Sequence, residues 1–279
     1  MGLLIRFARQ WVAGERLEDA IDATKEANAR GMEAALNLLG EHYRDRTLVE
    51  GTLGEYLRMQ EAIERHGLTA CVSIKLSQFG LLFGRTYCES QVSPLFDRIR
   101  ASDAFLWFDM ESSRFTDDTL ALYEGLLPRH PSVGVCLQAN LRRTPKDLDR
   151  LLDLGGKIRL TKGAYREPRE IAYRTRSEVD AAYGRLLRTL FEKGDHFGVG
   201  THDGKFIDLA LRLAANHRKT WEFQMLMGVR DPLKLELVGK GYRVLEYIPY
   251  GPNWLAYFLR RLRERPRNVV TMARSFVQG

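Results

Sequence analysis

Cysteine is scarce in this sequence, and long apolar runs are missing from it. Its three cysteines, Cys71, Cys88 and Cys136, lack the spacing of ligands in a zinc site. Cys71 and Cys136 lie within apolar, strand-like runs, where a buried and unreactive thiol is expected. No window of about 18 apolar residues is present, so the sequence predicts no membrane-spanning helix. These absences argue against an integral membrane protein and a cysteine-based metal site, and they suggest a reducing compartment.

A signal peptide and a dinucleotide-binding motif are also missing. Residues 1–20 contain no apolar region that is followed by a cleavage site of small residues. We therefore expect a cytoplasmic protein. Any association with the cell membrane would be limited to peripheral contact at its inner face. No G-x-G-x-x-G motif follows an apolar run, which argues against an open, doubly wound sheet.

The charge of the chain is positive but dispersed. A net charge of +7 favours acidic ligands or weak attraction to an anionic surface. Acidic residues are interleaved with the basic ones along nearly the whole sequence, so the clustered basic patch of a nucleic-acid-binding protein is missing. We expect no nucleic-acid partner.

Short apolar runs alternate with amphipathic stretches along most of the chain. The predicted strands are 33–39, 69–76, 104–110, 133–139, 157–162, 197–202, 221–226 and 243–248. Helical patterns between them include 47–66, 116–129, 144–154, 178–194, 204–217 and 231–240. This alternation predicts an α/β protein with a distorted, TIM-like (βα)8 barrel over residues 31–279. Residues 1–30 are predicted to add one or two helices packed outside the barrel.

Polar residues stand at the carboxyl ends of these strands, where the active sites of such barrels lie. Lys75 closes the second strand, Asp109 the third and Gln138 the fourth. Glu41 follows the first strand, Thr201 and His202 come after the sixth, and Tyr247 belongs to the end of the eighth. Arg159 lies within the fifth strand and Lys162 at its end, and Gln224 lies within the seventh. A single polar strand end is an ordinary transition into a loop, but a polar group at every end predicts a lined site at the barrel mouth.

Within residues 247–268, the pattern is helical from Pro252 onward and places two stripes on one predicted helix. An apolar arc, which should face the core, contains Trp254, Leu255, Phe258, Leu259 and Leu262. A second face contains Tyr257, Arg260, Arg261 and Glu264. Paired guanidinium groups suit a carboxylate ligand. The same composition also suits a solvated basic flank, so the pattern alone leaves both interpretations open.

Several single residues point to a ligand of particular chemistry. Arg159 is costly to bury unpaired, so it should meet an anion or an electron-rich heteroaromatic ring. Gly163 allows a ligand to approach the backbone closely. Asp109 would supply a counter-charge for Lys75 or for a cationic substrate nitrogen. His202 has no second ligand at a suitable spacing, so we expect it to position other groups and expect no metal site.

Two other functions are compatible with a barrel of this kind. One is a class I aldolase-type lyase, in which Lys75 or Lys162 would form a Schiff base with the substrate. The other is a catalytically silent barrel that serves as a basic binding module. The converging charges at the strand ends argue against the silent barrel, because a binding scaffold has no need of them.

The motifs of the chain resemble those of the proline dehydrogenase family, specifically its monofunctional bacterial members. They are LLGE at 38–41, SIKLSQFGL at 73–81, DMES at 109–112, RLTKGAYRE at 159–167, THD at 201–203, EFQMLMGVR at 222–230 and YIPYGPNWLAYFLRRLRERPRN at 247–268. The chain is also similar to the proline dehydrogenase domain of proline utilisation A. One departure is Thr161, which stands where the family usually has an apolar β-branched residue.

The resemblance implies an FAD-dependent oxidation of L-proline to Δ1-pyrroline-5-carboxylate. Hydride would pass from C5 of proline to flavin N5, and the electrons would continue to a quinone. This reaction would be the first step of proline degradation to glutamate. The expected partners are therefore L-proline, a quinone acceptor and, through functional coupling, a pyrroline-5-carboxylate (glutamate semialdehyde) dehydrogenase.

The resemblance also assigns roles by position. The catalytic residues would be Asp109, which supports the cationic groups, and Arg159, which would stabilise the reduced cofactor near N5. The substrate-binding residues would be Lys75, Ala164, Leu226, Tyr247, Tyr257, Arg260 and Arg261. The cofactor-binding residues would be Met110, Gln138, Arg159, Lys162, Gly163, Ala164, Tyr165, Thr201, His202 and Glu264.

Overall fold

The computed structural model describes residues 10–215, 217, 219–255 and 257–259 of the 279-residue chain. Its strands are β1 (Glu33–Leu38), β2 (Ala70–Ile74), β3 (Leu106–Phe108), β4 (Val133–Gln138), β5 (Lys157–Thr161), β6 (His196–Gly200), β7 (Thr220–Leu226) and β8 (Val244–Tyr250). All eight are parallel and form a closed barrel in chain order, in which β8 pairs with β1. The predicted TIM-like barrel is confirmed.

Helices follow the strands and cover the outside of the barrel. Those in the described residues are α1 (Leu17–Ala29), α2 (Arg46–Arg65), α3 (Arg85–Ala101), α4 (Thr116–Leu126), α5 (Thr144–Asp153), α6 (Arg176–Lys193), α7 (Gly204–Ala214) and α8 (Asp231–Gly239). Three short 3-10 helices, Leu76–Phe79, Leu81–Phe83 and Ser113–Phe115, lie in the loops after β2 and β3. Helix α3 contains Pro94 and is not among the helical patterns named from the sequence.

Helix α1 precedes the barrel and packs on it. Ala20, Ile21 and Ala27 are its buried apolar residues, and they contribute to the main hydrophobic cluster together with residues of β1 and β8. This helix is one of the one or two that the sequence predicts before β1. The division of the chain at residue 30 stays a prediction, and residues 1–9 lie outside the described part.

Two apolar layers hold the barrel together. The larger one lies between the strands and the surrounding helices and includes Val72, Phe108, Leu160 and Ile248, all fully buried. A smaller cluster of Ala35, Cys71, Trp107 and Leu245 is separate from it. Because successive strand residues face opposite sides of a sheet, these two sets alternate along the strands.

Candidate active site

The alternation of the strands places the polar side chains of the site. The small cluster supplies one residue each from β1, β2, β3 and β8, and two residues further along each strand the chain has a polar group. These groups are Asn37, Ser73, Asp109 and Tyr247. Residues two apart share a face, so the apolar cluster forms the floor on which these groups stand, toward the carboxyl ends of the strands.

Asp109 is the central acceptor of this group. One of its carboxylate oxygens accepts from Ser73 Oγ at 2.8 Å and from Arg159 Nη1 at 2.7 Å. The other accepts from Tyr247 Oη at 2.6 Å and from Lys75 Nζ at 3.3 Å. Burial would raise the pKa of Asp109, but the charges of Lys75 and Arg159 outweigh it and hold that pKa below its usual value. The carboxylate is therefore ionised at neutral pH, and the predicted pairing of Lys75 with Asp109 is present.

The hydroxyl of Tyr247 is a fixed donor in this arrangement. Burial and the negative charge of Asp109 raise the pKa of Tyr247 well above its ordinary value. The hydroxyl therefore keeps its proton and donates a hydrogen bond to Asp109, while Tyr247 also lines the adjoining cavity.

Arg159 projects from β5 and is 4 % exposed. Its Nη1 donates to Asp109 and to Ser73 Oγ at 3.0 Å, and its Nε donates to Gln224 Oε1. The guanidinium also lies over the ring of Trp107, 4.8 Å from the ring centroid. Within the described residues Nη2 is buried and has no hydrogen-bond partner. A buried charged donor without a partner is costly, so the geometry calls for a ligand acceptor beside it.

Lys75 is held at the end of β2 by two acceptors. Its Nζ donates to Asn37 Oδ1 at 3.0 Å and to Asp109 at 3.3 Å. Asn37 is itself fixed, because its Nδ2 donates to the Ser73 carbonyl at 2.8 Å and to Tyr56 Oη at 3.3 Å. An ammonium group has three N–H donors, so one donor of Lys75 remains for a ligand once these two contacts are made.

A glycine turn forms another side of the site. Gly163 has a φ of +104°, and a Cβ at this position would lie 2.1 Å from Asn140 Oδ1. The next residue, Ala164, donates its backbone N–H to Gln138 Oε1 at 3.3 Å. Only glycine fits here without strain, so the backbone comes close to the cavity where the sequence predicts contact with a ligand.

Lys162 is ion-paired at the rim of the site. Its Nζ donates to Asp180 at 2.6 Å and to Asp203 at 2.8 Å. Burial would raise the pKa of each carboxyl group, but the hydrogen bonds from Lys162 outweigh it and lower the pKa of both. Lys162 and Lys75 thus each donate hydrogen bonds to carboxylates. Either lysine would have to give up these contacts to form the Schiff base of an aldolase, which uses the free amine lone pair.

His202 is hydrogen-bonded to its neighbours through its ring and through its carbonyl. Its Nε2 accepts the backbone N–H of Leu226 at 2.8 Å, and its carbonyl accepts from Arg230 Nη1 at 2.7 Å. Among the described residues, no group of three or more His, Cys, Asp or Glu side chains could hold a metal ion. Tyr165, on the opposite side, donates its hydroxyl to Glu41 at 2.9 Å.

The strand ends surround a cavity of about 1090 Å³. All predicted site residues in the described part of the chain line it, namely Lys75, Asp109, Met110, Gln138, Arg159, Lys162, Gly163, Ala164, Tyr165, Thr201, His202, Leu226, Tyr247 and Tyr257. Arg260, Arg261 and Glu264 lie outside the described residues. The structure brings the described residues together, and the individual roles of all of them in binding stay predictions.

The start of the last helix differs from the predicted arc. Trp254 and Phe258 are buried and pack with Trp11 and Val12, as a core-facing helix requires. Leu255 and Leu259, however, are 49 % and 43 % exposed and line the cavity. The prediction that they face the core was wrong, because the apolar arc is wide enough to serve both the core and the cavity rim.

Two polar residues of the site, Asn37 and Ser73, were missed by reasoning from the sequence. Each lies within a strand between apolar neighbours, and each is fully buried. The signal was the spacing of two, because Ser73 precedes Lys75 by two positions and therefore lies on the same face of β2.

Comparison with known proteins identifies the family. The sequence model of the proline dehydrogenase family matches residues 20–274. The chain belongs to the proline dehydrogenase family. Proline dehydrogenase 1 of Bacillus subtilis subsp. natto is 31% identical over 274 residues, which cover 97% of this chain and 91% of the relative. The proline dehydrogenase of Deinococcus radiodurans is 34% identical over 280 residues, covering 98% and 90% of the two chains.

A solved structure agrees on the fold. Proline utilization A from Bdellovibrio bacteriovorus, inactivated by N-propargylglycine, superposes with a TM-score of 0.84 at 23% sequence identity. The match covers 92% of this chain but only 32% of that one, so this chain corresponds to about a third of the larger protein. The chain is therefore an oxidoreductase of the proline dehydrogenase family that acts in proline catabolism. In the described residues, none of the helices has the length and apolarity that crossing a bilayer needs.

Proposed function

We propose that this proline dehydrogenase uses FAD to oxidise L-proline to Δ1-pyrroline-5-carboxylate and passes the electrons to a quinone. The observation that carries the proposal is Asp109, which joins Lys75, Arg159 and Tyr247 at the edge of a cavity large enough for a cofactor and a small substrate. Family membership supplies the substrate, and the charges of the site suit both ligands.

The residues present fit a flavin. The unpartnered Nη2 of Arg159 offers a buried positive donor to an electron-rich ring, and Gly163 brings the backbone to the cavity without a side chain between. The residues that would hold the cofactor are Met110, Gln138, Arg159, Lys162, Gly163, Ala164, Tyr165, Thr201, His202 and Glu264. When bound, FAD supplies the two-electron oxidation that no side chain of the site can perform. Arg159 would stabilise the negative charge of the reduced cofactor electrostatically.

The substrate would be held by its carboxylate and by the walls of the cavity. Lys75 has one donor left after its contacts with Asn37 and Asp109, and an ammonium–carboxylate hydrogen bond is of the stronger, charge-assisted kind. We propose that Arg260 and Arg261 complete this clamp. The ring of proline would lie against Tyr247, Tyr257, Leu226 and Ala164, all of which line the cavity.

Within this site, Asp109 would act as a positioning group and not as a base. Its four donors leave the carboxylate fully engaged, and its lowered pKa keeps it charged. It therefore fixes Lys75 and Arg159 in relation to each other. The quinone acceptor and a functional coupling to a dehydrogenase that consumes the product are proposed from the family resemblance alone.

The proposal is tested by identifying the product. FAD-loaded enzyme is incubated with L-proline and an artificial two-electron acceptor, and the cyclic imine is trapped with o-aminobenzaldehyde. We expect imine formation that depends on both L-proline and acceptor. The lyase alternative would instead be supported if no imine formed and borohydride reduction left a carbonyl substrate covalently attached to Lys75 or Lys162.

A further inference from the structure

Arg159 has a second anchor on the side away from Asp109, and the proposed function does not use it. Its Nε donates to Gln224 Oε1 on β7, and Gln224 Nε2 donates at 2.8 Å to Glu222 Oε1. Glu222 is 2 % exposed and Gln224 is 6 % exposed, so neither contact is shared with bulk water. The two residues share one face of β7 because they are two positions apart.

The chemistry of the neighbours allows only one orientation of the Gln224 amide. A guanidinium can only donate hydrogen bonds, and an ionised carboxylate can only accept them. The amide must therefore turn its oxygen toward Arg159 and its nitrogen toward Glu222. Without the acceptor at Glu222 the opposite orientation would become accessible, and it would place the amide N–H groups against the guanidinium.

The barrel is shaped to admit this side chain. Gly198 on β6 faces Gln224, and a Cβ at Gly198 would lie 2.3 Å from Gln224 Nε2. Any larger residue at that position would displace the amide. The absence of a side chain on the neighbouring strand thus creates the space that the hydrogen-bonded pair occupies.

The second carboxylate oxygen of Glu222 has no hydrogen-bond partner within the described residues. It lies 3.4 Å from His196 Nε2 and 3.7 Å from Arg243 Nη1, at the amino-terminal ends of the strands. Arg243 also pairs with Glu33, with its Nε 2.7 Å from a carboxylate oxygen. Polar side chains therefore line the interior of the barrel from its amino-terminal face to Arg159, and the hydrogen bonds to Arg159 begin at Glu222 Oε1.

We propose that Glu222 is a positioning residue for the redox site, acting through Gln224 on Arg159. By fixing the Gln224 amide, Glu222 holds the guanidinium so that Nη2 stays available to the cavity. This inference rests on the proposed function, in which Arg159 stabilises the reduced cofactor. It assigns control over Arg159 to Glu222, which has no predicted catalytic or binding role, acting through Gln224, which lines the cavity.

The test compares Gln224→Met, Glu222→Met and Glu222→Gln in FAD-loaded protein. Gln224→Met removes the oxygen that accepts from Arg159 Nε, and Glu222→Met removes the oxygen that fixes the Gln224 amide. For both variants we expect the midpoint potential of bound FAD to become more negative. We also expect the rate of anaerobic FAD reduction by L-proline to fall about tenfold or more, the loss of one charge-assisted hydrogen bond. KM should change little, since neither residue contacts Lys75. Glu222→Gln keeps an oxygen that accepts from Gln224 Nε2, and it should stay close to wild type in both measurements.

Glu246→Gln is the matched control. Glu246 is a buried carboxylate on the adjacent strand β8, but it pairs with Lys234 of α8, outside the barrel. The Glu246→Gln variant should have a lower melting temperature but an unchanged midpoint potential of bound FAD. Folded Gln224→Met and Glu222→Met proteins with wild-type potential and rate would overturn the inference, as would Glu222→Gln behaving like Glu222→Met. If wild-type protein fails to bind FAD, the proposed function itself fails, and the two failures are thereby distinguished.

Discussion

Asp109 accepts hydrogen bonds from four side chains that belong to three other strands or strand ends. Replacing it leaves the buried Arg159 and the partly buried Lys75 without their shared counter-charge. The cost of such a loss is large because the cations are removed from water and no longer paired. The stability of the protein should therefore depend on Asp109 and vary with pH.

Asp109→Asn should lower the free energy of unfolding at pH 7 by about 3 kcal/mol. The folded pKa of Asp109 lies below its unfolded value, so its ionised form contributes stability above the unfolded pKa of about 4. That contribution is lost as the pH falls through the folded pKa. Urea unfolding of both proteins between pH 7 and pH 3 should show a difference that is largest at pH 7 and shrinks in acid. The exposed Asp97→Asn is the control, expected to change stability little. A difference that does not vary with pH would contradict this account.

The Gly163→Ala substitution should destabilise the protein. The substitution combines a φ of +104° with a Cβ placed 2.1 Å from Asn140 Oδ1. Gly155→Ala is a matched comparison, because Gly155 has a φ of +74° and no atom within 4 Å of the added Cβ. Gly155→Ala should cost about 1 kcal/mol through the backbone alone, and Gly163→Ala clearly more. Equal losses in thermal unfolding would show that the contact with Asn140 carries no strain.

The side chains of the site were predictable to different degrees. Charged residues at strand ends, such as Asp109 and Arg159, stand out because a core does not favour them. Asn37 and Ser73 did not stand out, since short polar residues inside apolar strands are unremarkable. The partners of Arg159 at Gln224 and Trp107 could not be predicted, because the pairing depends on which strands become neighbours across the barrel.

Strands and helices were predicted more uniformly than the contacts between them. Apolar runs bounded by polar residues mark all eight strands, and the predicted helices begin within two residues of the observed ones. Helix α3, which contains Pro94, is not among the helices named from the sequence. The division of the last helix between the core and the cavity rim was also missed, since one apolar stripe gives no sign of two different surfaces beside it.

A buried ion pair joins helix α8 to strand β8. Lys234 is fully buried, and its Nζ pairs with Glu246 and lies 2.5 Å from an Asp231 carboxylate oxygen. Lys234→Met should destabilise the protein by about 3–5 kcal/mol, because it leaves the Glu246 carboxylate buried without its cation. The double variant Lys234→Met/Glu246→Leu should recover much of this loss. Chemical unfolding of the two single variants and the double variant measures the coupling, and strictly additive losses would contradict it.

The closed barrel as a whole protects its thiols. Cys71, Cys88 and Cys136 are all buried and free. Burial raises the pKa of Cys71 to about 12, and it also raises the pKa of Cys88 and Cys136. Ellman's reagent should therefore label none of the three thiols in native protein at pH 8 and all three in urea. Rapid labelling of the native protein would show that the barrel opens more readily than its packing indicates.

The charges gathered at the barrel mouth are, on this account, a site for a flavin and for proline together. The absorbance spectrum of the purified, FAD-loaded protein under anaerobic conditions tests this most directly. We predict oxidised-flavin bands that are bleached on addition of L-proline and unchanged by D-proline. A protein that takes up no flavin, or whose flavin bands L-proline leaves intact, would contradict it.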